Sequence, residues 1–382
     1  MSPWAGKFII GLTGNIATGK SVVRKMLEHQ GAYGIDADAL GHRAIAKDAP
    51  GYQPVVETFG KWILGEDEQI DRSKLARVVF SDPSALKQLE AIVHPLVRQA
   101  VDVLVRRATQ PVIVIEAIKL LEGPLRQACD SIWVTYSPTE IQLARLMTKR
   151  GMTEEAARQR IMAQPPQEDK VAVANVVIRN VGTFEDIWRQ VVAAWQAHVA
   201  PRLQLPAPEV APVETLPVRG QISIERARPR QAAEIAQFIT RVTLGKRSLK
   251  AEDVMEAFGE KAFMLVKLDG RIVGLIGWQV ENLVARTNDV YFEPQIPLRE
   301  VMPRLMQEVE AASRDLQCEA SLVFLPPDLA RQQDVWRGLS YEPRTIKELG
   351  VRAWQDAAQE TLTGGEIMLF KQLRTDRVLR PV

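Results

Sequence analysis

Cysteine and histidine are scarce in this sequence: two cysteines, Cys129 and Cys318, and four histidines occur in 382 residues. The cysteines lie far apart and outside any metal-ligand spacing. That argues against a disulfide framework and a Cys/His metal centre, and makes the reducing cytoplasm the expected location. No run of about 18 apolar residues appears, so no membrane span is expected. The N-terminus, Met1-Ser-Pro-Trp4 and then the apolar run Phe8–Leu12, does not read as a signal peptide. Charge of one sign is missing as well. The formal net charge is +2 with no block of like charge, which gives no electrostatic case for nucleic acid as a partner.

What is present suits a soluble chain of two domains. Hydrophobic residues make up 46% and charged residues 25%, enough apolar surface for two cores. Through about residue 200, strand-like and helix-like segments alternate. Phe8–Thr13, Gly34–Asp38, Val112–Ile115 and Ile132–Thr135 read as strands. Val22, Val23, Met26 and Leu27 repeat at helical spacing until Gly31, and Ser137-Pro-Thr-Glu140 opens a further helix as a capping box. Strands alternating with helices predict a parallel sheet covered on both faces. Five prolines between 201 and 218 argue against a regular helix or an interior strand there and favour an extended, semi-stiff spacer. We place a linker at 201–220, between a domain of residues 1–200 and one of 221–376. The second domain reads as α+β, with a hairpin turning on Asp269-Gly270.

The chemistry sits at Gly14, Asn15, Ile16, Ala17, Thr18, Gly19, Lys20 and Ser21, which fit G-x-x-x-x-G-K-[ST] between an apolar strand and an amphipathic helix. Backbone N–H groups of such a loop, with the following helix N-terminus at Ser21 and Val22, cradle nucleotide phosphates. Lys20 neutralises the transferring phosphoryl group and the Ser21 hydroxyl ligates Mg²⁺. Asp38-Ala-Leu-Gly41 matches the D-x-x-G of GTPases, yet neither N-K-x-D nor the transporter signature L-S-G-G-Q occurs. A phosphate loop near the N-terminus with a carboxylate pair one helix later predicts a small-molecule kinase: a P-loop fold with a nucleoside-kinase-like parallel sheet and a helical lid.

From Gly11-Leu-Thr-Gly14 and the loop through Ile35-Asp-Ala-Asp38, Phe59-Gly60, Asp71-Arg72, Val79–Pro83, Leu89–Leu96, Leu143–Leu146 and Asn180-x-Gly182, the chain resembles the dephospho-coenzyme A kinases. The resemblance covers about residues 7–195. It implies ATP-dependent phosphorylation of the 3′-hydroxyl of dephospho-coenzyme A, with Mg²⁺. Asp38 is then the residue beside the acceptor hydroxyl, as base or metal ligand, with Asp36 leaving the strand on the same side. His94 lies in the acceptor region, Arg145 helps stabilise the transferring group, Arg150 is a second candidate lid arginine, and Asn180 with Gly182 cups the adenine.

The sequence departs from the pattern at Asn15 and Ala17 in the loop, and at Ala117–Glu122, which lacks a proline and gains Lys119. It departs again at Gln164-Pro-Pro-Gln167-Glu168, which loses an arginine and gains two prolines. Lys119 and Lys170 are the candidates to replace that arginine at the substrate. The departures keep two alternatives open, another metabolite or nucleotide kinase of this fold and a nucleotide-binding regulatory protein. Residues 221–373 resemble the GNAT acetyltransferase fold in the order of their elements. The stretch Glu293–Glu300, where that family has a glycine-rich pyrophosphate loop, contains two prolines and no glycine. A non-catalytic module is expected, whose partner is a protein or a CoA-like ligand.

Overall fold

In the computed structural model of the protein, residues 3–203, 216–218, 220–362, 364–376 and 378 are described. Of the proline-rich linker expected at 201–220, residues 204–215 and 219 lie outside them. The chain packs as two compact units. One is formed by Met1–Lys20, Ala32–Val181 and Asp376–Val382, the other by Ser21–Gly31 and Gly182–Thr375. Packing thus groups the chain differently from the boundary expected near residue 201. The helix that follows the phosphate loop belongs with the second unit.

In chain order the first two hundred residues form β1 (Phe8–Thr13), α1 (Lys20–His29), β2 (Tyr33–Asp36), α2 (Ala37–Ala44), α3 (Tyr52–Phe59), α4 (Arg72–Ser81) and α5 (Pro83–Arg107). They continue as β3 (Val112–Glu116), β4 (Ser131–Tyr136), α6 (Thr139–Arg150), α7 (Glu154–Met162), α8 (Gln167–Ala172), β5 (Val176–Arg179), α9 (Phe184–His198) and α10 (Ala200–Leu203). The sheet of the first unit is parallel throughout, in the order β2-β3-β1-β4-β5. Every residue of β1 and β3 is buried. Burial on both faces is why these strands read as unbroken apolar runs.

Two local expectations change. The second strand stops at Asp36, not Asp38, because the Asp36 carboxylate caps α2 by accepting the Ala39 N–H at 2.8 Å. Asp38 therefore leaves the first turn of a helix and not the same side of a strand. Ser137 does not cap α6 either, since Pro138 is the N-cap and no side chain caps it. The Ser137 hydroxyl donates instead to the Asn180 carbonyl at 2.8 Å. Helix α5 starts on an Asp82 cap with Pro83 in its first turn. It continues through Pro95, so His94 lies within the helix.

The second unit adds β6 (Leu216–Val218), β7 (Gly220–Arg226), α11 (Ala232–Val242), α12 (Ala251–Ala257), β8 (Ala262–Leu268), β9 (Arg271–Glu281), β10 (Val284–Phe292) and α13 (Leu298–Asp315). Then follow β11 (Ala320–Leu325), α14 (Pro327–Ala330), α15 (Gln333–Gly338), β12 (Glu342–Pro343), α16 (Arg352–Thr361) and β13 (Ile367–Gln372). Its eight strands run β12-β13-β11-β10-β9-β8-β7-β6. All neighbours are antiparallel except β10 and β11, which pair in parallel over Val284–Thr287 only. The predicted hairpin is present, with Asp269 at φ 50° and Gly270 at φ 84°, the two positive angles that a right-twisted two-residue turn demands.

One face of this sheet packs on α13 through Trp278, Met302, Leu305 and Val309. On the other face Phe263 of β8 packs with Phe238 of α11 and Phe258 at the end of α12, and Leu322 and Phe324 of β11 pack with Trp354 of α16. Helix α1 joins this unit through polar groups. Lys25 Nζ donates to the Val280 carbonyl at 3.2 Å, and His29 Nε2 bonds the Phe258 carbonyl at 2.9 Å. Glu28 pairs with Arg24 at 2.6 Å and Lys25 at 2.8 Å. Among the described residues no helix is long and apolar enough to cross a membrane.

Candidate active site

The phosphate loop follows the C-terminal end of β1, and its backbone takes conformations that glycine permits: φ is 151° at Gly14 and 91° at Gly19. Ala17 stands at φ 59° without that freedom, which costs about 1–2 kcal/mol. A Cβ at Gly14 would meet the Thr135 carbonyl at 2.5 Å, and one at Gly19 would collide with Asn180 Nδ2. The loop is held by its neighbours as well as by itself. The Thr18 hydroxyl donates to the Asn15 carbonyl and shares a hydrogen bond with Thr135, at 2.8 and 2.7 Å.

Lys20 is buried, with its Nζ on the Asn15 carbonyl at 3.2 Å. Burial lowers its pKa from the ordinary lysine value. Glu116, Asp38 and Asp36 pull it back up, and Arg150 pushes it further down. Three carboxylates and one guanidinium thus lie within electrostatic reach of Lys20. Burial raises the Asp38 carboxyl, opposed by the Ile118 N–H, which it accepts at 3.0 Å, and by Lys20. Lys170 of α8 is buried too, donates to the Ile118 carbonyl at 2.8 Å, and is lowered by burial, with Lys20 lowering and Asp38 and Glu122 raising it. Lys20, Asp38, Glu116 and Lys170 thus form one charged cluster at the C-terminal ends of β1 and β3, where open α/β sheets bind ligands.

Arg145 faces differently. Its guanidinium donates to the Ala17 carbonyl (3.1 Å), the Ser137 hydroxyl (3.0 Å), and the Asn180 Oδ1 (2.6 Å) and carbonyl (3.3 Å). Asn180 in turn donates from Nδ2 to the Thr18 carbonyl at 3.0 Å. Arg145 therefore braces the loop from the β5 side. The arginine that acts electrostatically on Lys20 is Arg150, at the exposed end of the same helix.

Of the other sequence candidates, Asp36 is occupied as the α2 cap and Lys119 pairs with Glu90 at 2.7 Å. His94 is half-buried within α5. Ser21, Val22 and Gly182 are grouped with the second unit, Ser21 directly after Lys20 in α1.

Sequence reasoning missed Glu116. Glu116 is 4% exposed and ends β3 beside β1, in register with Leu12 and Asp36. An acidic residue closing the apolar run Val112–Ile115 was the available signal. Gln164, named in the sequence as the start of the lid stretch, accepts the Ile16 N–H of the loop at 2.8 Å.

The sequence profile described as dephospho-CoA kinase matches residues 8–186. The dephospho-CoA kinase of Geobacter metallireducens is 42% identical over 194 residues, covering 50% of this chain and 96% of that protein. A solved structure from Thermus thermophilus is 34% identical and aligns with 50% of this chain and 98% of its own at a TM-score of 0.46. Along other residues, a GNAT-family acetyltransferase from Streptococcus pneumoniae aligns with 40% of this chain at 14% identity and a TM-score of 0.30. With the phosphate loop, the carboxylates beside Lys20 and 96% of a curated relative's length matched at 42% identity, the chain belongs to the dephospho-CoA kinase family.

Proposed function

We propose that the first unit transfers the γ-phosphoryl group of ATP to the 3′-hydroxyl of dephospho-coenzyme A. The observation that carries this reading is that Asp38, held by the Ile118 N–H, and the buried Glu116 lie within electrostatic range of Lys20 of the phosphate loop. The loop N–H groups and Lys20 bind and neutralise the phosphates. Asp38 orients the acceptor hydroxyl and accepts its proton as the new O–P bond forms and the bond to the ADP leaving oxygen breaks. Its raised pKa suits a proton acceptor better than an ordinary exposed aspartate. Lys170 and Arg150 supply further positive charge where it accumulates on the transferring group.

Hard oxygen donors suit Mg²⁺, and the Asp38 carboxylate, with Glu116 in its electrostatic range, is of that kind. When bound there the ion would offset phosphate charge. We read the second unit as non-catalytic. Pro297 is the N-cap of α13 and no side chain caps that helix. The Glu293 carboxylate ahead of it is taken by Arg271 at 2.6 and 2.9 Å and by Arg241 at 3.1 Å. Prolines without N–H donors and a carboxylate make a poor anion cradle.

Coupled ADP release with dephospho-coenzyme A as acceptor tests the assignment. Acceptor-dependent turnover that collapses in Asp38→Asn supports it. ATP binding without acceptor-dependent turnover would sink it in favour of another acceptor or a regulatory role.

A further inference from the structure

Two departures from the family pattern, Asn15 in the phosphate loop and the Pro165-Pro166 pair in the lid stretch, lie 150 positions apart and meet in the structure. Asn15 Nδ2 donates to the Pro165 carbonyl at 2.8 Å. One residue along on each side, Gln164 Oε1 accepts the Ile16 N–H at 2.8 Å. In both bonds the loop donates and the lid stretch accepts, so two adjacent residues on each side hold the segments together.

The latch is built at some cost. Asn15 is 5% exposed, and its Oδ1 is buried without a partner, a penalty of a kind that buried amides normally avoid. The prolines stiffen the lid side: each fixes φ and neither donates an N–H, so Pro165 can face the loop only as an acceptor.

Beyond the latch, Gln167 donates from Nε2 to the Ser137 carbonyl at 3.0 Å. One turn later Lys170 reaches the Ile118 carbonyl at 2.8 Å, within electrostatic range of Lys20 and Asp38. The stretch that lost an arginine is thus pinned at its start to the phosphate loop, and it delivers a lysine to the same site.

We propose that Asn15, Gln164 and Pro165 form a loop–lid latch that positions Lys170 against the transferring phosphoryl group. Asn15 and Gln164 are positioning residues that act through Lys170. The inference rests on the kinase reading above. It differs from a latch that merely stabilises the loop, and from a plug that ATP must displace.

The test is a double-mutant cycle in the full-length protein. Wild type, Gln164→Leu, Lys170→Met and the double variant are compared for kcat with dephospho-coenzyme A and for ATP dissociation constant by titration. Each single change should lower kcat about 10- to 100-fold, with ATP affinity held within about threefold. The double variant should be no slower than Lys170→Met alone, because the latch has nothing left to position. Asn15→Ala in the same cycle should repeat the result, and it decides the matter if Gln164→Leu does not fold. Multiplying losses, an unchanged kcat in Gln164→Leu, or tighter ATP binding once the latch is gone would each overturn the proposal. Wild-type turnover in the same assay keeps the two readings apart: its absence would remove the kinase reading itself, whereas turnover with multiplying losses would remove the latch alone.

Discussion

Arg145 and Asn180 are joined by a 2.6 Å hydrogen bond from guanidinium to side-chain oxygen, and that bond ties α6, the phosphate loop and the end of β5 to one point. The guanidinium serves four acceptors at once, which the planar fork of arginine can do and an ammonium group cannot. Arg145→Lys should therefore raise KM for ATP about tenfold with a smaller change in kcat. Arg150→Ala should do the reverse, lowering kcat at saturating ATP. Steady-state kinetics on both variants checks the division, and equal effects on kcat would contradict it.

Gly19 has no room for a side chain. Gly19→Ala combines a left-handed backbone at φ 91° with a collision against Asn180 Nδ2. It should cost about 1–3 kcal/mol of stability and weaken ATP binding by at least about tenfold as the loop deforms. Denaturant unfolding and ATP titration measure the two effects.

Asp38→Asn should separate function from stability. Burial raises the Asp38 pKa in the folded state, so the folded protein holds that proton more tightly than the unfolded chain. Stability from this group is fully present below the unfolded pKa and is lost as pH rises through the folded one. Asparagine removes the buried charge, so Tm at pH 7 should rise while acceptor-dependent turnover disappears. Differential scanning calorimetry beside the kinetic assay reads both, and a lower Tm would count against the stated origin of the shift.

Acid should loosen α1 in two stages. Burial lowers His29 to about 4, its Nε2 bonding the Phe258 carbonyl. The unfolded chain takes up that proton first, so stability falls as pH drops below the ordinary histidine value of 6.5 towards 4. The loss amounts to on the order of 3 kcal/mol. Burial acts to raise Glu28, but Lys25 and Arg24 overcome it and hold the carboxyl at about 2. Its contribution is present above 4.5 and lost between there and 2. Unfolding free energies across pH 7 to 4 should lose the first stage in His29→Asn, which has no charge to gain.

Lys119→Ala should be nearly silent. The Lys119 side chain is 50% exposed and paired with Glu90, a surface pair worth at most about 1 kcal/mol. The KM for dephospho-coenzyme A should stay within about twofold of wild type. A larger rise would return Lys119 to the acceptor site.

Much of this was legible in one dimension. Gly14–Ser21 specifies a phosphate loop by itself, because only that spacing of glycines permits the angles found at Gly14 and Gly19. The continuous apolar runs of β1 and β3 announce a parallel sheet buried on both faces. Asp269-Gly270 fixes its hairpin for the same local reason. Where a residue's role depends on a distant partner, the sequence could supply a name and not a task. Arg145 and Arg150 lie about one and a half turns apart on α6, yet one braces the loop and the other acts on Lys20 only electrostatically. Asp36 and Asp38 looked like a matched pair until one became a helix cap.

Local backbone chemistry therefore made legible, from sequence alone, the conformation of the Gly14–Gly19 loop and the parallel run of the first sheet. The tertiary structure decided the rest. Helix α1 is grouped with the second unit, Glu116 completes the charge around Lys20, and Asn15 finds Pro165 across 150 positions. Torsional limits act between neighbours in the chain and can be read there. Charge and hydrogen bonding act across space, and only the folded chain sets those distances.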